Sequence, residues 1–275
     1  MKTIRLNDAV HIPVIGLGTW NLNGESCVES VETALKLGYR HIDTADAYGN
    51  HSRVAEGIKR AGIPREELFI TTKLPLSNGY ARDTVLASGE RFLKELGIEY
   101  IDLLLIHWPD RSFTFSETLG AMNELKTKGM VRALGVSNFT PHHLEDVFAT
   151  GIEVSNNQVE LHPSFNQKAL REFCTSRGIA ITAYSPLGRK QDLKLPLLVE
   201  LAKKYSVSSA QIALNWVLAR GMIAIPKSSN PERIKENIDV FDFELSPDDM
   251  QKISTLNRNF RFVNPYEWWK IPYFD

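Results

Sequence analysis

Eight short runs rich in β-branched and aliphatic residues succeed one another along the chain, each followed by a stretch with helical spacing. This alternation restricts the fold more than any other feature, because strands that alternate with helices pair in parallel. The runs fall at 14–18, 40–44, 68–73, 101–107, 131–137, 154–159, 179–184 and 222–226, after a β-hairpin expected over 3–13. None alternates polar and apolar residues as a solvent-facing edge would, so closure into a barrel is favoured over an open sheet. The length of 275 residues suits one (β/α)8 TIM barrel, which needs about 250.

Helix signals agree with the strands. Val28, Val31 and Leu35 recur at i, i+3 and i+7, and Leu86, Phe92, Leu93 and Leu96 form a similar stripe. Gly38, Gly62, Gly97, Gly129, Gly178 and Gly221 stand where helices should stop before a strand. Thr140-Pro141 reads as an N-cap followed by the first helical residue, and Ser246-Pro247-Asp248-Asp249 as a capping box. An extra helix at 196–205 precedes the one at 209–219. A C-terminal helix at 247–256 leads into an irregular tail. With no linker or low-complexity tract, residues 1–275 read as a single domain.

Charge narrows the partners. A net charge of −1 gives no footprint for nucleic acid or an anionic membrane. No apolar run approaches the roughly 20 residues of a spanning helix, and the N-terminus lacks the apolar core of a signal peptide. Two cysteines, Cys27 and Cys174, are too few for a disulfide framework and are expected reduced, in the cytoplasm. Gly16-Leu17-Gly18 could open a dinucleotide fingerprint, but the sixth position is Asn21 and the acidic ribose partner is missing. A nicotinamide cofactor would have to bind by other means.

The polar residues at the strand ends carry the chemistry. Asp43 and Tyr48 follow the second run, Lys73 ends the third and His107 ends the fourth. Barrel enzymes gather their active groups at the C-terminal ends of strands, so an acid, a phenol, an amine and an imidazole should converge on one mouth. That set suits donation of a proton to a carbonyl oxygen gaining negative charge. A free tyrosine with a pKa near ~10 is a weak donor, and a neighbouring ammonium should favour the phenolate. Lys73 would supply that charge with Asp43 keeping it protonated, while His107 orients the carbonyl. Taken singly, Lys73 could be a snorkelling surface residue and Tyr48 a loop aromatic; their conjunction is the signal.

The stretches GYRHIDTADAYGN (38–50), TTKL (71–74), DLLLIHWP (102–109), ALGVSNF (133–139), NNQVELHP (156–163), AYSPLG (183–188) and IPKSSNPERIKEN (225–237) resemble those of an aldo-keto reductase over nearly the whole chain. The resemblance implies NADPH-dependent reduction of aldehydes or ketones, with Tyr48 as proton donor, Lys73 and Asp43 tuning it, and His107 orienting the substrate. It implies a nicotinamide stacked on Tyr184, its carboxamide held by Ser137, Asn138 and Gln158. Ser185 to Leu187 would run past the pyrophosphate, and Gly18 and Thr19 would join the cofactor site. A monomer is expected, as in many relatives.

Lys227 and Ser228 follow the eighth run. Arg233, Glu236 and Asn237 lie at i, i+3 and i+4 on the next helix, sharing one face. Cations beside a helix N-terminus make a phosphate site, and the family uses this pattern to prefer NADP(H). Trp20 and Trp108 should wall the substrate pocket, with the tail aromatics Phe260, Phe262, Trp268 and Trp269 as further candidates. The loop at 109–115 is short, which suits an open site for small aldehydes and α-dicarbonyls. Similar bacterial members act on methylglyoxal-like aldehydes or 2,5-diketogluconate, and no residue selects between them. His162 is assigned no chemistry.

Three other readings compete. An NADP(H)-binding regulatory protein with little turnover shares the fold, but the four intact strand-end residues oppose it. A Schiff-base enzyme would need a neutral Lys73, which Asp43 disfavours. A metal enzyme built on Asp43, His107 and His162 lacks ligand spacing, so no metal is expected.

Overall fold

The computed structural model describes residues 2–7 and 9–264. A two-stranded antiparallel hairpin, β1 (Thr3–Arg5) and β2 (His11–Pro13), precedes the barrel. Eight parallel strands follow in sequential order: β3 (Leu17–Gly18), β4 (His41–Asp43), β5 (Phe69–Leu74), β6 (Ile101–Ile106), β7 (Val131–Ser137), β8 (Asn156–Glu160), β9 (Ala180–Tyr184) and β10 (Ile223–Ala224). Between the first and last runs, Ile15 bridges Ala224 in parallel, Gly16 N–H donates to the Ala224 carbonyl, and Gly18 N–H donates to that of Pro226. These bonds close the (β/α)8 barrel.

Closure explains the two glycines that imitate a dinucleotide fingerprint. A Cβ on Gly16 would stand 2.5 Å from the His41 ring, and one on Gly18 would stand 2.8 Å from the Ile225 carbonyl oxygen. The first strand can approach its neighbours this closely only without side chains there.

Side-chain alternation along the strands sorts residues into two sets. Leu104, Ile106, Leu134, Val136, Val159, Ile181 and Ala183 join the main apolar layer beneath the helices. Phe69, Leu103, Leu105, Ala133 and Ile223 form a separate cluster with Leu6, Val10 and Ile12 of the hairpin. The hairpin therefore packs on the barrel interior at the N-terminal ends of the strands. The same alternation carries Asp43, Lys73, His107, Ser137, Gln158 and Tyr184 inward at the other end.

Local chemistry marks several helix ends. Thr140 caps α5 (Pro141–Phe148): its hydroxyl accepts from His143 N–H, while His143 Nδ1 accepts from Thr140 N–H. Gly97 terminates α3 (Arg82–Leu96) at φ 64°, a conformation costly for a residue with a side chain. The expected extra helices are present as α7 (Pro196–Tyr205) and α10 (Pro247–Ser254), and α8 (Ser209–Leu218) lies between them. At Ser246 only half the expected capping box forms. Its hydroxyl accepts from Asp249 N–H, but the Asp249 carboxylate accepts from Lys204 and Tyr205, and Ser246 N–H turns to Tyr205. No helix among the described residues is long and apolar enough to cross a membrane. Cys27 and Cys174 are buried free thiols, and burial pushes both up to about 11.

Candidate active site

At the C-terminal mouth, a cavity of about 210 Å³ is lined by Asp43, Tyr48, His107, Trp20, Trp108, Gly18, Ser137, Asn138, Gln158, Tyr184, Ser185 and Lys227, together with Ala47, Arg189, Ile225 and Val263. A larger hollow of about 610 Å³ lies outside the barrel between the starts of α5 and α6 (Lys168–Ser176). It contains none of the four candidate catalytic side chains.

Lys73 is wholly buried, which is tolerable only because its ammonium is saturated. It donates to Asp43 Oδ1 at 2.7 Å and to the Thr44 carbonyl at 2.8 Å, and reaches the Tyr48 hydroxyl at 3.4 Å. Gln158 Nε2 donates to the other Asp43 oxygen at 2.7 Å, which leaves the carboxylate with a partner on each side. Burial pulls the Lys73 amine down, but the charge and hydrogen bond of Asp43, together with those of Tyr48, outweigh it and hold the amine above its ordinary range. A protonated Lys73 is a poor Schiff-base nucleophile.

Tyr48 differs from the sequence expectation. Burial raises its phenol, and the opposing pull of the Lys73 ammonium does not overcome it. The ground state is thus a protonated phenol, and Lys73 stands where it would stabilise the phenolate left after proton donation. The His107 ring meets Tyr48 edge-on, with centroids 5.9 Å apart, and stacks on Trp108. Burial and then the Lys73 charge hold His107 well below the usual histidine range. It is a neutral imidazole that can donate one N–H.

The turn carrying Tyr48 is fixed from below. Asp46 pairs with Arg91 at 2.7 Å, and Arg91 also holds Glu95, which bonds His51 Nδ1. Asp46, His51 and Glu95 present ligand atoms within 4.8 Å of one another. Arg91 already bridges the two carboxylates, so this group braces the Tyr48 turn. Asn50 adds to the brace: its amide donates to the carbonyls of Thr19 and Leu22 and accepts from the Thr44 hydroxyl.

Opposite this cluster, the Tyr184 hydroxyl donates to Asn138 Oδ1 at 2.8 Å, and Asn138 Nδ2 donates to the His107 carbonyl and the Ser137 hydroxyl. Ser137 in turn donates to the Gln158 carbonyl. The Tyr184 ring is therefore held beside a row of amide and hydroxyl groups. Thr19 is buried and donates to the Asp43 carbonyl, outside the cavity lining. Leu187 is half-buried against the main core and is not part of the cavity lining.

Lys227 lies just beyond β10, and burial together with the Lys190 charge pulls its amine down. Helix α9 (Pro231–Ile238) starts nearby. Asn230 caps it through Arg233 N–H, and the Ser228 hydroxyl accepts from Asn230 N–H. Along α9, Arg233 is exposed, Glu236 half-buried and Asn237 buried. None of Ser228, Arg233, Glu236 and Asn237 belongs to the lining of the 210 Å³ cavity.

Trp20 and Trp108 line the cavity, and the Arg189 guanidinium sits 5.1 Å from the centre of the Trp20 ring. The tail differs. Phe262 packs on His162, and Phe260 stacks edge-on against Phe262, so Val263 enters the lining in their place. Trp268 and Trp269 lie outside the described residues.

The family model described as the aldo/keto reductase family matches residues 14–258. The chain is 46% identical over 264 residues to a 9,11-endoperoxide prostaglandin H2 reductase of Trypanosoma cruzi, covering 94% of this chain and 92% of that one. It is 45% identical over 269 residues to a glyoxal reductase of Bacillus subtilis, covering 96% of both. A Bombyx mori aldo-keto reductase solved in complex with NADP superposes with a TM-score of 0.91 at 36% identity, over 98% of this chain and 97% of that one.

Proposed function

Because this chain belongs to the aldo/keto reductase family of oxidoreductases, we propose that it reduces small aldehydes, α-dicarbonyls or keto sugars to alcohols with NADPH, using Tyr48 as the proton donor. The observation that carries this reading is the buried Asp43–Lys73–Tyr48 chain opening into a cavity shared with His107.

The donor set of the mouth fits a nicotinamide cofactor. Tyr184 offers a ring face, and Ser137, Asn138 and Gln158 offer amide and hydroxyl groups beside it. Lys227 under pressure from the Lys190 charge, next to the α9 N-terminus, suits phosphate, which would relieve like-charge repulsion. Ser185 at the cavity wall, with Gly18, Thr19, Ser228, Arg233, Glu236 and Asn237 around it, would complete the cofactor site. Leu187 would run past the pyrophosphate with Ser185. When bound, the cofactor supplies a hydride to the carbonyl carbon.

The protein's own residues handle the oxygen. His107 donates a neutral N–H that orients the carbonyl. Tyr48 gives its proton as negative charge develops on oxygen, and the Lys73 ammonium stabilises the phenolate that remains. Asp43 keeps that ammonium charged, so the stabilising charge is in place before reaction. Trp20 and Trp108 supply apolar walls against water.

The likeness to a glyoxal reductase supports small dicarbonyls as substrates. Buried free thiols fit a cytoplasmic setting. The apolar layer running from Ile15 to Ile253 fits a single domain, and we take the working unit to be a monomer. NADPH oxidation measured with a panel of glyoxal, methylglyoxal, simple aldehydes and ketones tests the proposal. Carbonyl-dependent oxidation is expected, and its absence across the panel would overturn the reading.

A further inference from the structure

Two segments that reach the cavity are anchored by one buried charged group to which the chemistry assigns no part. The first is the loop after β9, which brings Ser185 and Arg189 to the cavity wall. It is conformationally expensive: Ser185, Arg189 and Lys190 all adopt left-handed backbone, with φ of 49°, 46° and 70°. Such residues persist only where the surroundings over-determine them. The second is the tail segment that brings Val263 to the cavity lining.

Both lead to the same place. Asp192, at the end of the strained loop, accepts from the Ser164 N–H at 3.0 Å and from its hydroxyl, and pairs with His162 Nδ1 at 2.9 Å. It also fills the space beside Gly188, where a Cβ would stand 2.4 Å from its carboxyl carbon. Glu160, at the end of β8, accepts from the Phe262 and Val263 N–H groups at 2.7 and 2.9 Å. His162 Nε2 meets Glu160 at 3.1 Å. The three side chains are almost wholly buried.

We propose that Glu160, His162 and Asp192 form a buried clamp that positions both walls of the cavity, His162 tying the carboxylate that holds the 185–190 loop to the carboxylate that holds residues 262–263. Burial works against a charged His162, but its two carboxylates outweigh it and raise the imidazole, while His162 and Ser164 hold Asp192 down. Each ring nitrogen of His162 faces a carboxylate, and removing the imidazole leaves the two carboxyl groups facing each other in a dry site. His162 is a positioning residue, touching neither substrate nor cofactor.

The consequence for binding rests on the reading of the mouth as an NADPH and carbonyl site; the consequence for the loop does not. Trypsin can cut after Arg189 and Lys190, so the clamp is read directly by proteolysis of the intact protein. Release of the loop in His162→Gln should speed cutting at these two bonds by about tenfold over the wild type, ahead of cutting elsewhere. The same variant should raise the NADPH Kd, followed by fluorescence, and the carbonyl KM by about tenfold each, with kcat at saturation within about threefold. Cutting at the wild-type rate, or cutting sped equally at all sites, overturns the clamp whatever the cofactor result. A wild type that fails to bind NADPH would instead remove the reading of the mouth. If His162→Gln is recovered only as aggregate, Ser164→Ala removes the hydroxyl bond to Asp192 and the hydroxyl contact with His162 Nδ1, and keeps the rest of the clamp. About threefold faster cutting at 189–190 is then expected, and an unchanged rate overturns the proposal.

Discussion

The two sides of the barrel mouth are built on opposite principles. On the β4–β6 side, Asp43 and Lys73 are sealed from water, and each has hydrogen-bonding partners in place. On the β9–β10 side, Arg189, Lys190, Lys227 and Arg233 are exposed, and the loop between them is held in a strained backbone. The difference teaches where each task sits. Proton transfer needs charges fixed before reaction, which rigid strand ends supply. Holding a long anionic cofactor needs cations that it can reach and leave, which exposed loops and a helix start supply.

Breaking the rigid side should cost the most. Tyr48→Phe removes the proposed proton donor without removing Asp43 or Lys73, so kcat should fall by about a thousandfold, near 4 kcal/mol of barrier. NADPH affinity should stay within about twofold in a fluorescence titration. Lys73→Met leaves the Asp43 carboxylate buried without its ammonium, and should lower unfolding free energy by about 3–5 kcal/mol in urea denaturation. A surface role for Lys73 would leave stability nearly unchanged.

The exposed side should respond more gently and more selectively. Arg233→Ala should weaken NADPH by about tenfold, or about 1.4 kcal/mol, and leave NADH little changed. Equal losses for the two cofactors would remove the 2′-phosphate from Arg233. The smallest expected effect is on pH. His107 is depressed, so it remains neutral as pH falls through the ordinary histidine range, and kcat should stay flat between about pH 6 and 8. A step in kcat centred near 6.5 would place an ordinary, titrating histidine in the reaction.

The sequence made the rigid side legible because its logic is local. Strand periodicity turns Asp43, Lys73 and His107 to one face, and strand ends in a barrel share one mouth. Helix caps at Thr140 and Gly97 were readable for the same reason. What escaped depends on pairs far apart in the chain. Glu160 meets residues 262 and 263, and His162 meets Asp192, across separations that no spacing rule covers. His162 carried no assignment because its carboxylate partners are 2 and 30 residues away, and only folding sets all three together. The raised Tyr48 phenol was missed because a sequence shows the neighbouring ammonium and hides the burial.

The division of labour across the mouth is tested most directly by measuring kcat and NADPH Kd for Tyr48→Phe and Arg233→Ala side by side. The account predicts a crossed result: Tyr48→Phe loses turnover and keeps cofactor affinity, and Arg233→Ala loses affinity and keeps turnover at saturating NADPH. A Tyr48→Phe variant that turns over at the wild-type rate, or two variants that lose both properties in proportion, would contradict it.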